Sequence, residues 1–421
     1  MEKIIINNFG PIKEINFCLD KQFNVVIGEQ ATGKSTLAKC IYFFKDVITE
    51  MTHLLMGQPE KLAKMTAEQI LQLYYVTAKK LFYLSFGRYC HSELTEISYQ
   101  YIDDRLATIS VVNGDIQFKY DDATELEIKR ILTWYLEKTL RGKVEDASIF
   151  SLRAVAVLIE NLFGTNIRRM FIPACRSRVT GILDQYQGQT IDIYFNALLE
   201  NIRDFKFFLE TFSEADIDVA YLHKDSMPEQ LHERILDLKL LKLKILKGDY
   251  ETDKDKTWIK LINGTKVPVE YGSSGQQESL WILNFLTMVM YSASSRFLII
   301  EEPEAHLYPS AQLELIKLIT LVANTTGSEV LITTHSPYIL SAFNLLTYAG
   351  KVEKNNKEGL INVYQRIAPQ KLGAFKLENG ICRYIYNEEE SLISSEEIDT
   401  ISEDINTLFD KLIDKECDEM R

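Results

Sequence analysis

The stretch "VVIGEQATGKSTLAKCIYF", residues 25–43, sets an apolar strand against a helix across a loop holding two glycines, a lysine and a serine. It fits G-x-x-x-x-G-K-[ST], with Gly28, Gly33, Lys34 and Ser35 at the required positions. Glycines there permit backbone angles and a close approach that a side chain would block, so the loop can wrap a phosphate chain with its N–H groups. The residues expected around a nucleoside triphosphate are Gly28, Glu29, Gln30, Ala31, Thr32, Gly33, Lys34, Ser35 and Thr36. Lys34 is expected to reach the β- and γ-phosphates, and the Ser35 hydroxyl to ligate Mg²⁺.

A chain of 421 residues allows two or three domains, or one core domain with a large insertion. Apolar residues at 46% and charged residues at 25% suit a water-soluble globular protein. Six scattered cysteines without a C-x-x-C pair suggest neither a disulfide frame nor a zinc site, which fits a reducing cytoplasm. Neither a signal segment nor an apolar run of spanning length is found, so no membrane is expected.

The net charge of −13 is concentrated at the end of the chain: residues 388–421 carry 13 acidic and 3 basic side chains. The nearly neutral remainder leaves room for basic patches, at Arg168, Arg169, Arg176 and Arg178 or at Lys239, Lys242, Lys244 and Lys247. Each reads first as a solvated face, with DNA as the alternative.

Strand patterns open the chain ("KIIINN", "INFCL", "FNVVI") and return from Trp258 to about Tyr364. Residues 46–257 read as a mainly helical insertion with a β-hairpin near 106–120, turned at Asn113–Gly114; a second Asn-Gly hairpin is expected at Asn263–Gly264. No sustained heptad appears, so no long coiled-coil arm is expected. Residues 1–45 and 258–387 form the expected α/β head. An acidic amphipathic helix is expected over 388–421, with Ile398, Ile401, Ile405, Leu408, Leu412 and Ile413 on one face.

Three further motifs narrow the chemistry. In "EYGSSGQQESLWILNFL", Ser273, Ser274, Gly275 and Gln276 stand at a helix start, where unpaired N–H groups and the helix dipole favour an anion. In "FLIIEEPEAHLYP", a buried strand delivers Glu301, expected to hold Mg²⁺, and Glu302, expected to polarise the attacking water. In "LITTHSP", a second strand delivers His335, whose imidazole can bond a γ-phosphate and orient that water.

In this order, "GEQATGKST", "GSSGQQE", "FLIIEEPEAHLYP" and "LITTHSP" resemble the ATP-binding-cassette ATPases of the SMC, Rad50, RecF and OLD branch. "EEPEAHL", "TTHSP" and "IPACRS" look most like the small OLD-type and AAA15-type ATPases. The resemblance implies a P-loop ABC-type ATPase head with an N-terminal β subdomain, carrying a large mainly helical insertion. It implies ATP and Mg²⁺ as cofactors, catalysis by Glu302, His335 and Lys34, and metal ligation by Ser35 and Glu301. It also implies a head-to-tail homodimer or higher oligomer, in which Ser273 and Gly275 of one copy meet the γ-phosphate held by Lys34 of another. Ala305, His306 and Leu307 would then form the D-loop at the seam. The chain departs from L-S-G-G-Q, having Tyr271 and Gly272 before "SSGQQ".

The expected function is an ATPase that controls a separate effector, a nuclease or toxin, in anti-phage defence, as the likeness to OLD-, Septu- and PARIS-type ATPases suggests. The 86 residues after His335 read as too few for a fused Toprim-like nuclease. A RecF-like, DNA-binding repair ATPase is the alternative. A transporter motor fits poorly, since Lys34 and Ser273 are 239 positions apart.

Overall fold

The computed structural model describes residues 2–88, 91–140, 147–164, 168–174, 176–179, 193–211, 229–252, 257–354, 356 and 359–394. Three strands open it: β1 (Lys3–Phe9), β2 (Ile12–Cys18) and β3 (Phe23–Ile27). Every residue of β3 is buried. Phe23, Val25 and Ile27 enter one hydrophobic cluster while Val26 enters the other, so both faces of the strand are covered. Two more strands share this pattern, β11 (Phe297–Glu301) and β12 (Glu329–Thr334). Phe297, Ile299 and Leu331 join the first cluster; Leu298, Ile300, Val330 and Ile332 join the second.

These strands build the parallel centre of an 11-stranded sheet of order β6-β5-β4-β1-β2-β14-β13-β3-β12-β11-β7. β13 (Leu372–Glu378), β3, β12, β11 and β7 (Arg169–Ile172) run parallel to their neighbours. β14 (Ile381–Tyr384) turns back on β13 and touches β2 through Ile381 and Glu14. Beyond β2 the pairing is antiparallel through β4 (His91–Gln100), β5 (Leu106–Val112) and β6 (Asp115–Tyr120).

Residues 46–257 therefore interleave with the sheet: they supply β4 to β6 at one edge and β7 at the other. The Asn113–Gly114 turn forms as expected, both residues having positive φ (54° and 74°). The second hairpin joins β9 (Thr257–Leu261) and β10 (Lys266–Pro268) in a separate three-stranded sheet with β8 (Gly248–Thr252). Its turn is longer than the Asn-Gly pair suggests. The Gly264 N–H donates to the Leu261 carbonyl, and Gly264 alone takes positive φ (85°), the pattern of a three-residue loop.

Helix Lys34–Gly57 covers one face of the sheet, with Leu37, Ile41, Phe44, Ile48 and Met51 inward; Pro59 follows its end, where a helix is hard to continue. Helices Ser274–Ser292, Pro309–Thr326 and Pro337–Val352 pack on the other face. At the end of the described chain, β15 (Tyr386–Asn387) pairs with β16 (Leu392–Ile393). Residues 388–394 thus form a turn and strand where a helix was expected, since Asn387 caps the turn by accepting from Glu389 and Glu390 N–H. The apolar stripe from Ile398 to Ile413 lies outside the described residues.

A buried charge cluster ties the two parts of the sheet together. Lys45, on helix Lys34–Gly57, donates to both Glu2 oxygens (2.7 and 2.9 Å), and the Tyr99 hydroxyl of β4 donates to Glu2 Oε1 (2.5 Å). Lys45 and Glu2 are 4% and 6% exposed, and the ammonium lies 4.3 Å from the centroid of the Phe297 ring. Removing one member leaves a buried charge unpaired. Lys45→Met is expected to cost about 3–5 kcal/mol, and Glu2→Gln with Lys45→Met to recover most of it. Urea unfolding of the single and double variants checks this; equal losses would contradict it.

Candidate functional site

Parallel register decides where the motifs meet. Glu301 stands opposite Thr333, and Thr334 opposite Ile27, so β11, β12 and β3 release their loops at one edge of the sheet. That edge is where ligands of open parallel sheets bind.

The loop after β3 closes on itself. Ala31 and Gly33 take positive φ (60° and 107°), and the Thr32 hydroxyl donates to the Glu29 carbonyl (2.9 Å). Gly33 then caps helix Lys34–Gly57 from a backbone region that a side chain would strain. Lys34, 5% exposed, donates through Nζ to the carbonyls of Gly28 and Glu29 (2.7 Å each) and lies 3.3 Å from His335 Nδ1. Burial lowers its pKa to about 8, against the pull of Glu302, Glu304 and Glu301.

The ammonium of Lys34 has no lone pair, so His335 Nδ1 must accept. The imidazole proton then sits on Nε2, 3.2 Å from Glu302 Oε1. Lys34, His335 and Glu302 form one connected chain of polar groups, and the three come together as the motif order required.

Glu302 follows β11 with an unusual backbone, φ 43°, its N–H donating to the Thr333 carbonyl (2.8 Å). Outside glycine this conformation costs on the order of 1–2 kcal/mol. It turns the chain into Glu304, Ala305 and His306. Glu304 is a site residue that motif reading missed: its carboxylate accepts from the Thr334 hydroxyl and the His335 N–H (2.7 Å each), fixing the loop that carries the histidine. Gln312 does the same from below, accepting from the Ser336 hydroxyl (2.7 Å) and donating to the Leu307 carbonyl (2.9 Å).

Glu301 is buried. Its Oε2 accepts from the Ala174 N–H (3.3 Å) and Oε1 has no partner. Burial raises its pKa, opposed by the nearby Ser35 hydroxyl, by Lys39 and by the Ala174 N–H. A buried carboxylate oxygen without a partner, beside a serine hydroxyl, is a fit for a hard divalent cation. Among the described residues no group of three or more His, Cys, Asp or Glu is placed to hold a metal.

Ser273 is the N-cap of helix Ser274–Ser292, so Ser274 and Gly275 lie inside its first turn rather than before it. The Ser273 hydroxyl accepts from Gln276 N–H, and the Gln276 side chain accepts from Ser273 N–H. Gln276 also donates to the Leu246 carbonyl (2.9 Å), and Gly275 rests against the His306 carbonyl. This turn therefore abuts the loop after β11, and its hydrogen bonds run to itself and to Leu246.

The two basic clusters are split by burial. Arg176 is fully buried, Arg169 pairs with Asp46 and Lys242 is buried, while Arg168, Lys244 and Lys247 are exposed, Lys244 lying 3.4 Å from Glu314; the Arg178 side chain lies outside the described residues. Arg176 follows β7 and reaches the site itself, donating to the carbonyls of Glu301 (2.6 Å) and Glu302 (3.0 Å). The signal in the sequence was "FIPACRS", an arginine directly after a buried strand; its charge had suggested a solvated face.

A family model described as "AAA ATPase domain" (AAA_15) matches residues 1–146 and 159–340. No curated protein sequence matches the chain. Among solved structures the chain is similar to an SMC head bound to the C-winged helix domain of ScpA, at 11% identity and a TM-score of 0.42, covering 91% of this chain and 96% of that one. It is also similar to the SMC head domain from Thermotoga maritima, at 9% identity and a TM-score of 0.37, covering 91% and 97%. A third is an SMC head domain with an extended coiled coil bound to the C-terminal domain of ScpA, derived from Pyrococcus furiosus: 14% identity, TM-score 0.36, coverage 91% and 96%. The expected α/β P-loop ATPase head is the fold observed. Among the described residues no helix is long and apolar enough to cross a membrane.

A Cβ added at Gly275 would stand 2.6 Å from the His306 carbonyl oxygen, and backbone there cannot yield cheaply. Gly275→Ala is expected to cost about 1–3 kcal/mol. Gly57→Ala, with open space around it, should shift stability by less than about 1 kcal/mol. Denaturant midpoints measure both, and equal effects would refute the close packing of the two loops.

Proposed function

Because the chain belongs to the AAA_15 family of AAA ATPase domains, we propose that it binds and hydrolyses ATP with Mg²⁺ and that nucleotide state governs its assembly. The observation that carries this reading is the Lys34–His335–Glu302 chain, 3.3 and 3.2 Å in its two steps, at the edge where the phosphate loop opens. Gly28 to Thr36 wrap the triphosphate, and Lys34 exchanges its carbonyl acceptors for phosphate oxygens. Glu302 takes the proton of the attacking water. His335 holds that carboxylate in place through its Nε2–H and orients the water. Ser35 and Glu301 would hold Mg²⁺, which supplies charge neutralisation of the phosphoryl oxygens when bound.

Ser273, Ser274, Gly275 and Gln276 then serve the nucleotide of a second copy, with Ala305 to Leu307 at the seam, giving a homodimer or higher homo-oligomer. The motifs "EEPEAHL", "TTHSP" and "IPACRS" support placing it with the OLD-like ATPases, which implies control of a separate effector, a nuclease or toxin, in antiviral defence and a cytoplasmic setting. A RecF-like DNA-binding role has less support, because Arg176 and Lys242 are buried and Lys244 is paired.

Lys34→Ala is expected to abolish binding of a fluorescent ATP analogue. Glu302→Gln is expected to lower kcat by roughly 10²- to 10⁴-fold and to accumulate an ATP-bound dimer by light scattering. Wild-type turnover by Glu302→Gln would remove Glu302 from the role of base.

A further inference from the structure

Arg176 joins two elements that lie 100 or more positions from it in sequence. Its Nε donates to the Glu278 carbonyl (3.1 Å), Nη1 to the carbonyls of Pro173 (2.7 Å) and Glu301 (2.6 Å), and Nη2 to that of Glu302 (3.0 Å). Glu278 answers from helix Ser274–Ser292. Its carboxylate accepts from the backbone N–H of Arg176 (3.0 Å) and Ser177 (3.2 Å) and from the Ser177 hydroxyl (2.6 Å). The helix that begins with the Ser273 turn is thus bonded to Arg176, and Arg176 to the backbone of both carboxylate-bearing residues.

The attachment falls where the backbone is strained. Glu302 keeps φ 43° while its N–H is held by Thr333 and its carbonyl by Arg176 and the Ala305 N–H. Such a conformation persists only while its surroundings hold it. The fork of a guanidinium can serve carbonyls from three segments at fixed angles, which a single ammonium nitrogen cannot.

We propose that Arg176 is a positioning residue: displacement of helix Ser274–Ser292 passes through Glu278 and Arg176 to the backbone that aims the Glu302 carboxylate. This rests on the reading of Glu302 as the base. Its consequence is that the hydrolytic geometry at one nucleotide answers to what the signature helix of the same chain contacts.

Arg176→Lys keeps the charge and loses the fork. It is expected to lower kcat at least tenfold, with KM for ATP and the Kd of a fluorescent ATP analogue within threefold of wild type. Glu278→Gln should show the same split. A purely structural role would lower thermal stability and leave kcat of the folded fraction unchanged; a folded variant of either kind with wild-type kcat overturns the proposal. In case neither variant folds, the wild-type chain gives a measurement independent of both and of turnover, amide hydrogen exchange with and without a non-hydrolysable ATP analogue. Coupling predicts tenfold or greater slowing at 28–36, 176–179, 275–280 and 301–306 together. Slowing at 28–36 and 301–306 without 176–179 and 275–280 removes the coupling alone. No slowing at 28–36 removes the nucleotide reading and this proposal with it.

Discussion

The parallel pairing of β3, β12 and β11 is the constraint from which the site follows. Both faces of these strands are buried in close-packed clusters, so a slip of one residue would exchange the side chains packed on the two faces and disturb both. Thr334 beside Ile27 and Glu301 beside Thr333 are direct results of that pairing. Motifs that lie hundreds of residues apart then leave the sheet at the same height. No side chain of the site has to hold the strands together. The hydrophobic clusters on the two faces do that, and the polar groups are free to be spaced for chemistry.

Burial acts on the charges of this edge in opposite senses. It lowers Lys34 and raises Glu301, and each group is opposed by neighbours of the other sign. Burial lowers the pKa of Arg176 as well, opposed by Glu278 and by the carboxylates of Glu304, Glu301 and Glu302. Removing a single member would leave its neighbours as unpaired buried charges, so the cluster stands as a unit. The unpartnered oxygens of Glu301 and Glu304 and the Thr333 hydroxyl mark where this internal pairing is incomplete. They lie at the end of the parallel strands, on the side where phosphate and metal are proposed to enter.

Much of this was legible in the sequence, because some signals are local. The phosphate loop, the two carboxylates and the histidine are each a short pattern at the end of an apolar strand, and β1 to β3 and the Asn113–Gly114 turn follow from alternation and turn chemistry. Partnership between distant segments was not legible. A charge count cannot distinguish a solvated arginine from Arg176, whose partners are backbone carbonyls and a glutamate about a hundred positions away. The hairpin β5–β6 could be seen, but not that β4 would join it to β1, since any alternating strand offers two edges. The hairpin at Asn263–Gly264 could also be seen, but not its loop length: Gly264 supplies the positive φ of a longer loop, and Asn-Gly serves either geometry.

The place of β7 explains why an arginine is found at this joint. β7 is the last strand of the sheet, four residues long, paired to β11 along one side. A terminal strand cannot anchor the chain that leaves it, because half of its backbone groups face away from the ladder. The segment after Ile172 instead anchors on two glutamate side chains. The Ala174 N–H goes to Glu301, and those of Arg176 and Ser177 go to Glu278. Arg176 then returns hydrogen bonds to the end of β11, the strand that β7 borders. An anchor of this kind is specific without being part of the continuous core. Helix Ser274–Ser292 belongs to the second hydrophobic cluster and helix Lys34–Gly57 to the first. Arg176 therefore bonds the end of β11 to a helix fixed to the second face of the sheet. A contact built from directional bonds to backbone carbonyls fixes the angle as well as the distance between the segments it joins.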